Sequence, residues 1–276
     1  MTSDFSQADY ESFKQFLQDA SGILLGDNKQ YLVKSRLRKI MSEHRLASLG
    51  ELVERLRRHP RGELREAVID AMTTNETLWF RDTHPFRILE EKLLPEAAQH
   101  SASQPLRIWS AACSTGQEPY SIAMVIDEFR RKNPGRLKRN VEIIATDVSK
   151  PVVDAARKGE YELLALGRGL SADRQKKFFD HTPSGSWQVK KEIRDMVTFR
   201  EHNLLERFNF GQFDLVFCRN VLIYFSGDLK RDILVRTHEV LKPGGYLILG
   251  ASESLNGLPE RYEMVQCRPG IIYRAK

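Results

Sequence analysis

The sequence lacks long apolar runs. Nowhere do its 276 residues approach the ~20 consecutive apolar positions that span a bilayer. The opening Met-Thr-Ser-Asp-Phe has no basic-then-apolar leader pattern, so a soluble cytoplasmic chain is expected. Cysteine is scarce: Cys113, Cys218 and Cys267 are an odd, scattered set. They read as reduced thiols, not as a disulfide framework or a metal site. The histidines show no metal-ligand spacing, and there are no internal repeats or low-complexity tracts. The phosphate-cradling G-x-G-x-x-G of dinucleotide enzymes is also missing. What is present is an ordinary globular composition, 41% hydrophobic and 29% charged, long enough for a large domain and a small one. The net charge of +6 suits nucleic acid, a membrane surface or an acidic protein, and does not choose among them.

Two textures divide the chain. Residues 1–80 carry only helical periodicity. Phe5, Tyr10, Phe13, Phe16 and Leu17 mark a first helix and Tyr31 to Arg45 a second. Leu49, Leu52, Val53 and Leu56 mark a third, and Leu64, Val68, Ile69 and Met72 a fourth. From residue 81 to 276, apolar strands alternate with helices: 107–112, 141–147, 197–204, 213–218 and 246–250. The last helix is closed by Lys242-Pro243-Gly244-Gly245, and a final hairpin pairs 262–266 with 270–274. The expected fold is α/β, a doubly wound, mostly parallel sheet with a closing antiparallel hairpin, behind a small all-helical domain. An excursion after residue 159 holds a helix at 172–179 and a small antiparallel β-subdomain at about 180–196. Insertions of this size in such a fold are usually functional.

The stretch Leu106 to Ser121 reads as strand, tight turn and helix, the helix restarting at Pro119. In open α/β sheets ligands bind at this carboxyl edge. A second strand ends on Asp147, and a carboxylate there accepts hydrogen bonds from both hydroxyls of a ribose. Glu118 at the helix start would repel a phosphate. The ligand expected is a nucleoside without phosphates, and S-adenosyl-L-methionine fits, because its ammonium can use a carboxylate.

Four motifs then make a resemblance specific: Thr74 to Arg81, Ser114 to Ser121, Ala145-Thr146-Asp147, and Phe217 to Phe225. With the Leu241 to Tyr246 segment, the chain resembles the bacterial chemotaxis receptor glutamate O-methyltransferases, over essentially its whole length. One departure is Gln117, where that family commonly has a first glutamate. The resemblance implies a class I methyltransferase that moves the methyl of S-adenosylmethionine to receptor glutamates, leaving S-adenosylhomocysteine and using no metal. It implies that Asn75, Thr77 and Arg81 close over the methionine end of the cofactor and that Glu118 contacts it. Asp147 would hold the ribose, Asn203 and Leu204 flank the adenine, and Asn220 and Val221 line the cofactor near its methyl. Arg81 and Tyr224 are the candidates for placing the substrate carboxylate. The partner implied is the cytoplasmic helical domain of methyl-accepting receptors.

A glutamate is already ionised at neutral pH, so this chemistry needs no general base. It reduces to in-line positioning and desolvation. The basic second helix reads on pattern alone as a solvated face or a docking surface. The resemblance favours docking of an acidic receptor helix by Lys34, Arg38 and Arg45. The inserted sheet resembles an edge on which part of the family docks a receptor C-terminal pentapeptide; Trp187 to Arg194 reads equally well either way. A nucleic-acid methyltransferase is disfavoured, because the segment after the fourth strand lacks the Pro-Pro-Tyr pattern of the amino-directed enzymes. A non-catalytic receptor-binding protein is the remaining alternative.

Overall fold

The computed structural model describes residues 5–60, 62–100, 103–255 and 257–276. The opening Met-Thr-Ser-Asp, part of the leader reading, lies outside them. Four helices come first: α1 (Gln7–Ser21), α2 (Gln30–Glu43), α3 (Leu49–Arg58) and α4 (Glu63–Met72). Tyr10, Phe13 and Leu17 bury one stripe of α1 against Val33, Leu37, Leu52, Leu56 and Val68. Ser6 and Ser48 cap α1 and α3 by accepting from the amides of Asp9 and Glu51. Helix α2 stops at Glu43, so Arg45 is not on it. Arg45 has a left-handed φ of 53°, in a turn that the periodicity of 31–45 concealed.

After a linker come α5 (His84–Ile88), one π-turn (Leu89–Leu93) and α6 (Leu94–Ala97). The sheet elements follow: β1 (Leu106–Ala111), α7 (Gln117–Lys132), β2 (Val141–Asp147), α8 (Lys150–Lys158), β6 (Val197–Glu201), β7 (Phe213–Cys218), α12 (Gly227–Val240), β8 (Leu241–Leu249), β9 (Tyr262–Gln266) and β10 (Ile271–Ala275). Between α8 and β6 lie β3 (Glu160–Tyr161), α9 (Leu163–Leu166), α10 (Ala172–Phe178), β4 (Phe179–His181), β5 (Trp187–Val189) and α11 (Lys191–Arg194). The large sheet runs β6-β2-β1-β7-β8-β10-β9. All neighbours from β6 to β8 are parallel, and β10 is antiparallel to both β8 and β9. Alternate residues of β1 feed opposite faces: Leu106 and Ile108 one core, Trp109 and Ala111 the other. Strand order therefore reverses between β1 and β7, and the crevice at their carboxyl ends is the ligand position of this fold.

Four sequence expectations shift. Helix α7 starts at Gln117, two residues before Pro119, because Gly116 takes a left-handed φ of 95° and caps it. A side chain at Gly116 would meet Ala156 Cβ and Tyr161 Oη at 3.0 Å. Lys242-Pro243-Gly244-Gly245 belongs to β8, whose pairing with β7 is irregular at Phe213 and Leu215, not to a separate turn. Strand β6 ends at Glu201, where the His202 amide turns to the Asp147 carbonyl at 2.8 Å. The small sheet, ordered β3-β5-β4, draws strands from 160–189 and so begins before residue 180. Residues 191–194 are a helical turn that buries Ile193.

Candidate functional site

A cavity of about 270 Å³ opens at the β1–β7 crevice. Asn75, Thr77, Arg81, Glu118, Asp147, Asn203, Leu204, Asn220, Val221 and Tyr224 all line it. Lys34, Arg38 and Arg45 do not, and Arg38 and Arg45 are exposed away from it. The helical domain also supplies walls that sequence reasoning missed, chiefly Leu24, Lys29 and Arg36.

The loops are held in unusual backbone. Arg45 aside, every non-glycine left-handed φ among the described residues falls in three segments: Phe80, Asp82 and Thr83; Ala112 and Ser114; and Asn220. Each segment adjoins or lines the cavity, where strain of this kind is retained when it serves a site.

Asp147 sits at the end of β2 and is buried. Its Oδ2 accepts from the Ser114 amide at 2.8 Å and its Oδ1 from the Ser149 amide at 3.1 Å. The Val148 amide also bears on the carboxylate, whose four lone-pair positions still leave one for a ribose hydroxyl. Burial raises its pKa above the usual carboxylate value, against the amide bonds that lower it.

Glu118 is not a bare first-turn charge. Its Oε1 accepts from Ser110 Oγ at 2.7 Å and its Oε2 from Arg219 Nη1 at 2.8 Å. Arg219 is buried, and its Nη2 also donates to Asp82 Oδ2 at 2.7 Å and to the Arg81 carbonyl at 2.8 Å. One guanidinium thus ties Glu118, at the start of α7, to the linker that carries Arg81. The trio Glu118, Asp82 and Arg219 has a net formal charge of −1, which suits a cationic ligand. Sequence reasoning quoted Arg219 within a motif but gave it no role. The available signal was a charged residue directly after an apolar strand.

Arg81 donates one Nη1 bond to the Glu76 carbonyl at 3.0 Å. Its other guanidinium donors have no protein acceptor among the described residues. The linker is fixed from both sides. Arg36 Nη1 donates to the Met72 and Thr73 carbonyls at 2.8 Å, and Trp79 packs edge-on against Tyr161 and Phe179 at 5.0 and 5.3 Å. Ser114 Oγ donates to the Asn75 carbonyl at 3.0 Å.

Asn203 lies past β6, and its Nδ2 donates to the Ala20 carbonyl at 2.9 Å, bridging to α1. Asn220 has a left-handed φ of 58°, held by Glu253, which accepts from the amides of Asn220, Leu222 and Gly250, each at 2.8 Å. Glu253 had no sequence signal, because its partners are backbone groups. Tyr224 is half-buried in a 3₁₀ turn, Leu222–Tyr224. Gln117 is buried, accepts from Thr115 Oγ1 at 2.8 Å, and lies outside the cavity wall, so the charge it lacks is not one the cavity would face. Burial raises the Cys113 and Cys218 pKa values, which suits small fillers and not reactive thiols.

The donor set fits a nucleoside cofactor with a cationic tail: a buried carboxylate for the ribose, a second beside the helix start, and no phosphate cradle. No group of three or more metal-ligating side chains occurs among the described residues. No helix among them is long and apolar enough to cross a membrane.

Comparison with known proteins gives the same assignment. Residues 8–73 match the all-alpha domain of CheR methyltransferases, and residues 75–271 match their SAM-binding domain. The chain is 60% identical to chemotaxis protein methyltransferase Cher2 of Pseudomonas putida, covering 97% of this chain and 98% of that protein. It is likewise 60% identical to chemotaxis protein methyltransferase 1 of Pseudomonas aeruginosa, covering 98% and 99%. It is 51% identical to the chemotaxis protein methyltransferase of Vibrio parahaemolyticus, covering 98% of each. With the sheet order, the cavity and both domains in agreement, the chain belongs to the CheR methyltransferase family and is a methyltransferase with a SAM-binding domain.

Proposed function

We propose that this enzyme methylates glutamate side chains of bacterial chemoreceptors in the cytoplasm, giving glutamyl 5-O-methyl esters and S-adenosylhomocysteine, as part of chemotactic adaptation. S-adenosylmethionine, when bound, supplies a methyl on a sulfonium sulfur that leaves as a neutral thioether. The chain's own residues would do the rest. Asp147 would take a ribose hydroxyl, with Leu204, Asn203 and Val221 beside the nucleoside. Glu118, held by Arg219, would face the cationic tail, with Asn75, Thr77 and Asn220 around it. Arg81 would turn its unengaged guanidinium edge to the acceptor carboxylate, and the Tyr224 hydroxyl would help orient it.

The observation that carries this reading is the split in the cavity's charge. Glu118 and Asp147 stand at the strand ends, while the linker carboxylates Glu76 and Asp82 are paired with Arg168 and Arg219 and leave the linker-mounted Arg81 with free donors. A carboxylate acceptor is attracted to that edge, and being ionised already it needs no proton removed. The half-enclosed cavity would strip water from both partners and hold them in line.

Mass spectrometry of a receptor cytoplasmic domain incubated with enzyme and S-adenosylmethionine tests this. A methyl gained on a glutamate-containing peptide and removed by mild base supports it. A base-stable methyl on lysine, arginine or nucleic acid rules it out.

Lys34, Arg38 and Arg45 are proposed as electrostatic guides for an acidic receptor helix, with Arg45 acting from the turn after α2. The edges of the β3-β5-β4 sheet are the place where a receptor C-terminal pentapeptide would add as a strand. Calorimetric titration with that peptide checks this, and the absence of heat at high peptide concentration removes it.

A further inference from the structure

Large apolar side chains are exposed at few places among the described residues; one of them, Leu24, lines the cavity, and another, Ile223, directly precedes the cavity-lining Tyr224. Leu24 is 45% exposed and Ile223 is 46% exposed. They come from opposite ends of the chain, yet the Leu24 amide donates to the carbonyl of Tyr224, the neighbour of Ile223, at 2.9 Å. The loop bearing Leu24 is fixed. A Cβ added to Gly22 would lie 2.6 Å from Leu229 Cδ2 and 3.2 Å from the Phe225 ring, so the backbone there is pressed onto α12 and the turn before it. Two residues past Leu24, the Gly26 carbonyl accepts from Tyr10 Oη at 2.8 Å. Its flanking residues Ile23 and Leu25 are half-buried, and only Leu24 turns outward. The loop is braced on both sides of Leu24, so its outward apolar side chain is held in place next to the turn that carries Ile223.

Asp27, on the same loop, is taken up by Lys14, and the free charge on the cavity wall is positive. Lys29 lines the same cavity and has no acidic partner among the described residues; its Nζ rests 5.8 Å from the Tyr31 ring, which is itself 65% exposed. The acids on the cavity wall are engaged: Glu76 pairs with Arg168, Glu118 pairs with Arg219, and Asp147 is buried. Lys29 and Arg81 therefore dominate the open rim. Tyr31, Lys34 and Arg38 then share one face of α2 at i, i+3 and i+7, continuing the strip away from the mouth.

We infer that Leu24, Ile223, Lys29 and Tyr31 form a specificity rim that seats the residues flanking the acceptor glutamate on an acidic, amphipathic receptor helix. On a helix the residues three and four away from the acceptor stand on the same face, about 5–6 Å off, and would fall on this rim when the acceptor enters beside Tyr224. The apolar pair takes a small or apolar flanking side chain, and Lys29 takes an acidic one. This inference rests on the reaction proposed above and adds the determinant of which glutamates are accepted.

The test compares wild type with Leu24→Ser/Ile223→Ser and, separately, with Lys29→Glu. S-adenosylhomocysteine affinity is measured by calorimetry, base-labile methyl transfer to a receptor domain by initial rates, and self-association by sedimentation. The rim predicts unchanged product affinity and kcat/KM lower by about tenfold or more in each variant. It also predicts partial rescue of Lys29→Glu when the acid flanking the acceptor is replaced by lysine. Wild-type kcat/KM in both variants overturns the inference and leaves the reaction standing. An equal loss of product affinity assigns the rim to the cofactor and overturns it as well. A wild-type dimer that the apolar variant dissociates gives the patch to a second copy of the chain and does the same. A wild type that methylates no receptor overturns the reaction and the rim together.

Discussion

Asp147 is the residue on which the proposed cofactor binding rests most directly. Both of its oxygens accept backbone amides, from Ser114 and Ser149, while facing the cavity. In Asp147→Asn the amide nitrogen would oppose one of those N–H groups and could not accept from a hydroxyl. S-adenosylhomocysteine affinity should fall about 100-fold, the loss expected for hydrogen bonds to a charged group. The pH dependence follows from burial, which raises the Asp147 pKa. A carboxyl whose folded pKa lies above its unfolded one binds more protons folded than unfolded between the two values. Its contribution to stability is therefore present at lower pH and declines as pH rises through that window. Ribose binding needs the ionised form, so affinity should decline on acidification from a pH above the ordinary carboxylate range. Calorimetry in buffers of different ionisation enthalpy should find a proton released on binding there. A flat affinity across that range would count against Asp147 as the ribose ligand.

The role proposed for Arg81 is tested at the same scale. Arg81→Lys keeps the charge but loses the fork, and should lower kcat/KM by about 100-fold. Product affinity should change less than kcat/KM does. Equal losses in both would assign Arg81 to the cofactor alone.

The elements show why part of the site was legible in sequence and part was not. The ten cavity residues named from sequence all line the cavity: seven follow or start near the carboxyl ends of strands, where the topology brings segments together, and Asn75, Thr77 and Arg81 come from the linker laid over those ends. Arg36 shows the opposite case. Its helix reads as a basic face, yet its guanidinium is spent on the Met72 and Thr73 carbonyls at the end of α4 and on Thr74 Oγ1 at 3.2 Å. Nothing in helical periodicity says that a basic residue caps a neighbouring helix. Arg36→Ala should cost about 1–2 kcal/mol of stability, read from the denaturation midpoint, and should loosen the linker that carries Asn75 and Arg81. Glu253 is a similar case. Its Oε2 serves the Asn220 and Gly250 amides and its Oε1 serves Leu222. Glu253→Gln can satisfy only one side, so it should lower product affinity about tenfold although it touches no ligand in this account. The strand and helix boundaries that moved, at Gln117, Leu241 and Glu201, all lie where glycine geometry or a long-range amide bond overrides local pattern.

At the scale of the whole molecule, the helical domain forms part of the cavity. Arg36 lines it and holds the linker, Asn203 reaches the Ala20 carbonyl, and Asp70 accepts from Ser149 Oγ beside Asp147. Val148 packs into the helical core. Cofactor binding should therefore stabilise both halves as one unit. Saturating S-adenosylhomocysteine at about 100 times its Kd should add ~2.7 kcal/mol and raise a single transition. Two transitions, of which only one moves, would separate the domains. Substrate recognition belongs to this scale too. Replacing Lys34, Arg38 and Arg45 by glutamate should weaken receptor methylation sharply, most at low salt, and leave product binding intact, because exposed charges act through screened steering. An equal fall in cofactor affinity would remove the docking role.

The central claim is that the acceptor is a receptor glutamate, and the bond formed identifies it. Enzyme, methyl-tritiated S-adenosylmethionine and receptor cytoplasmic domains should yield labelled receptor whose tritium is released as methanol on mild alkaline treatment. The label should disappear when the receptor's acceptor glutamates are replaced. Label that survives alkali, or that persists without those glutamates, would contradict it.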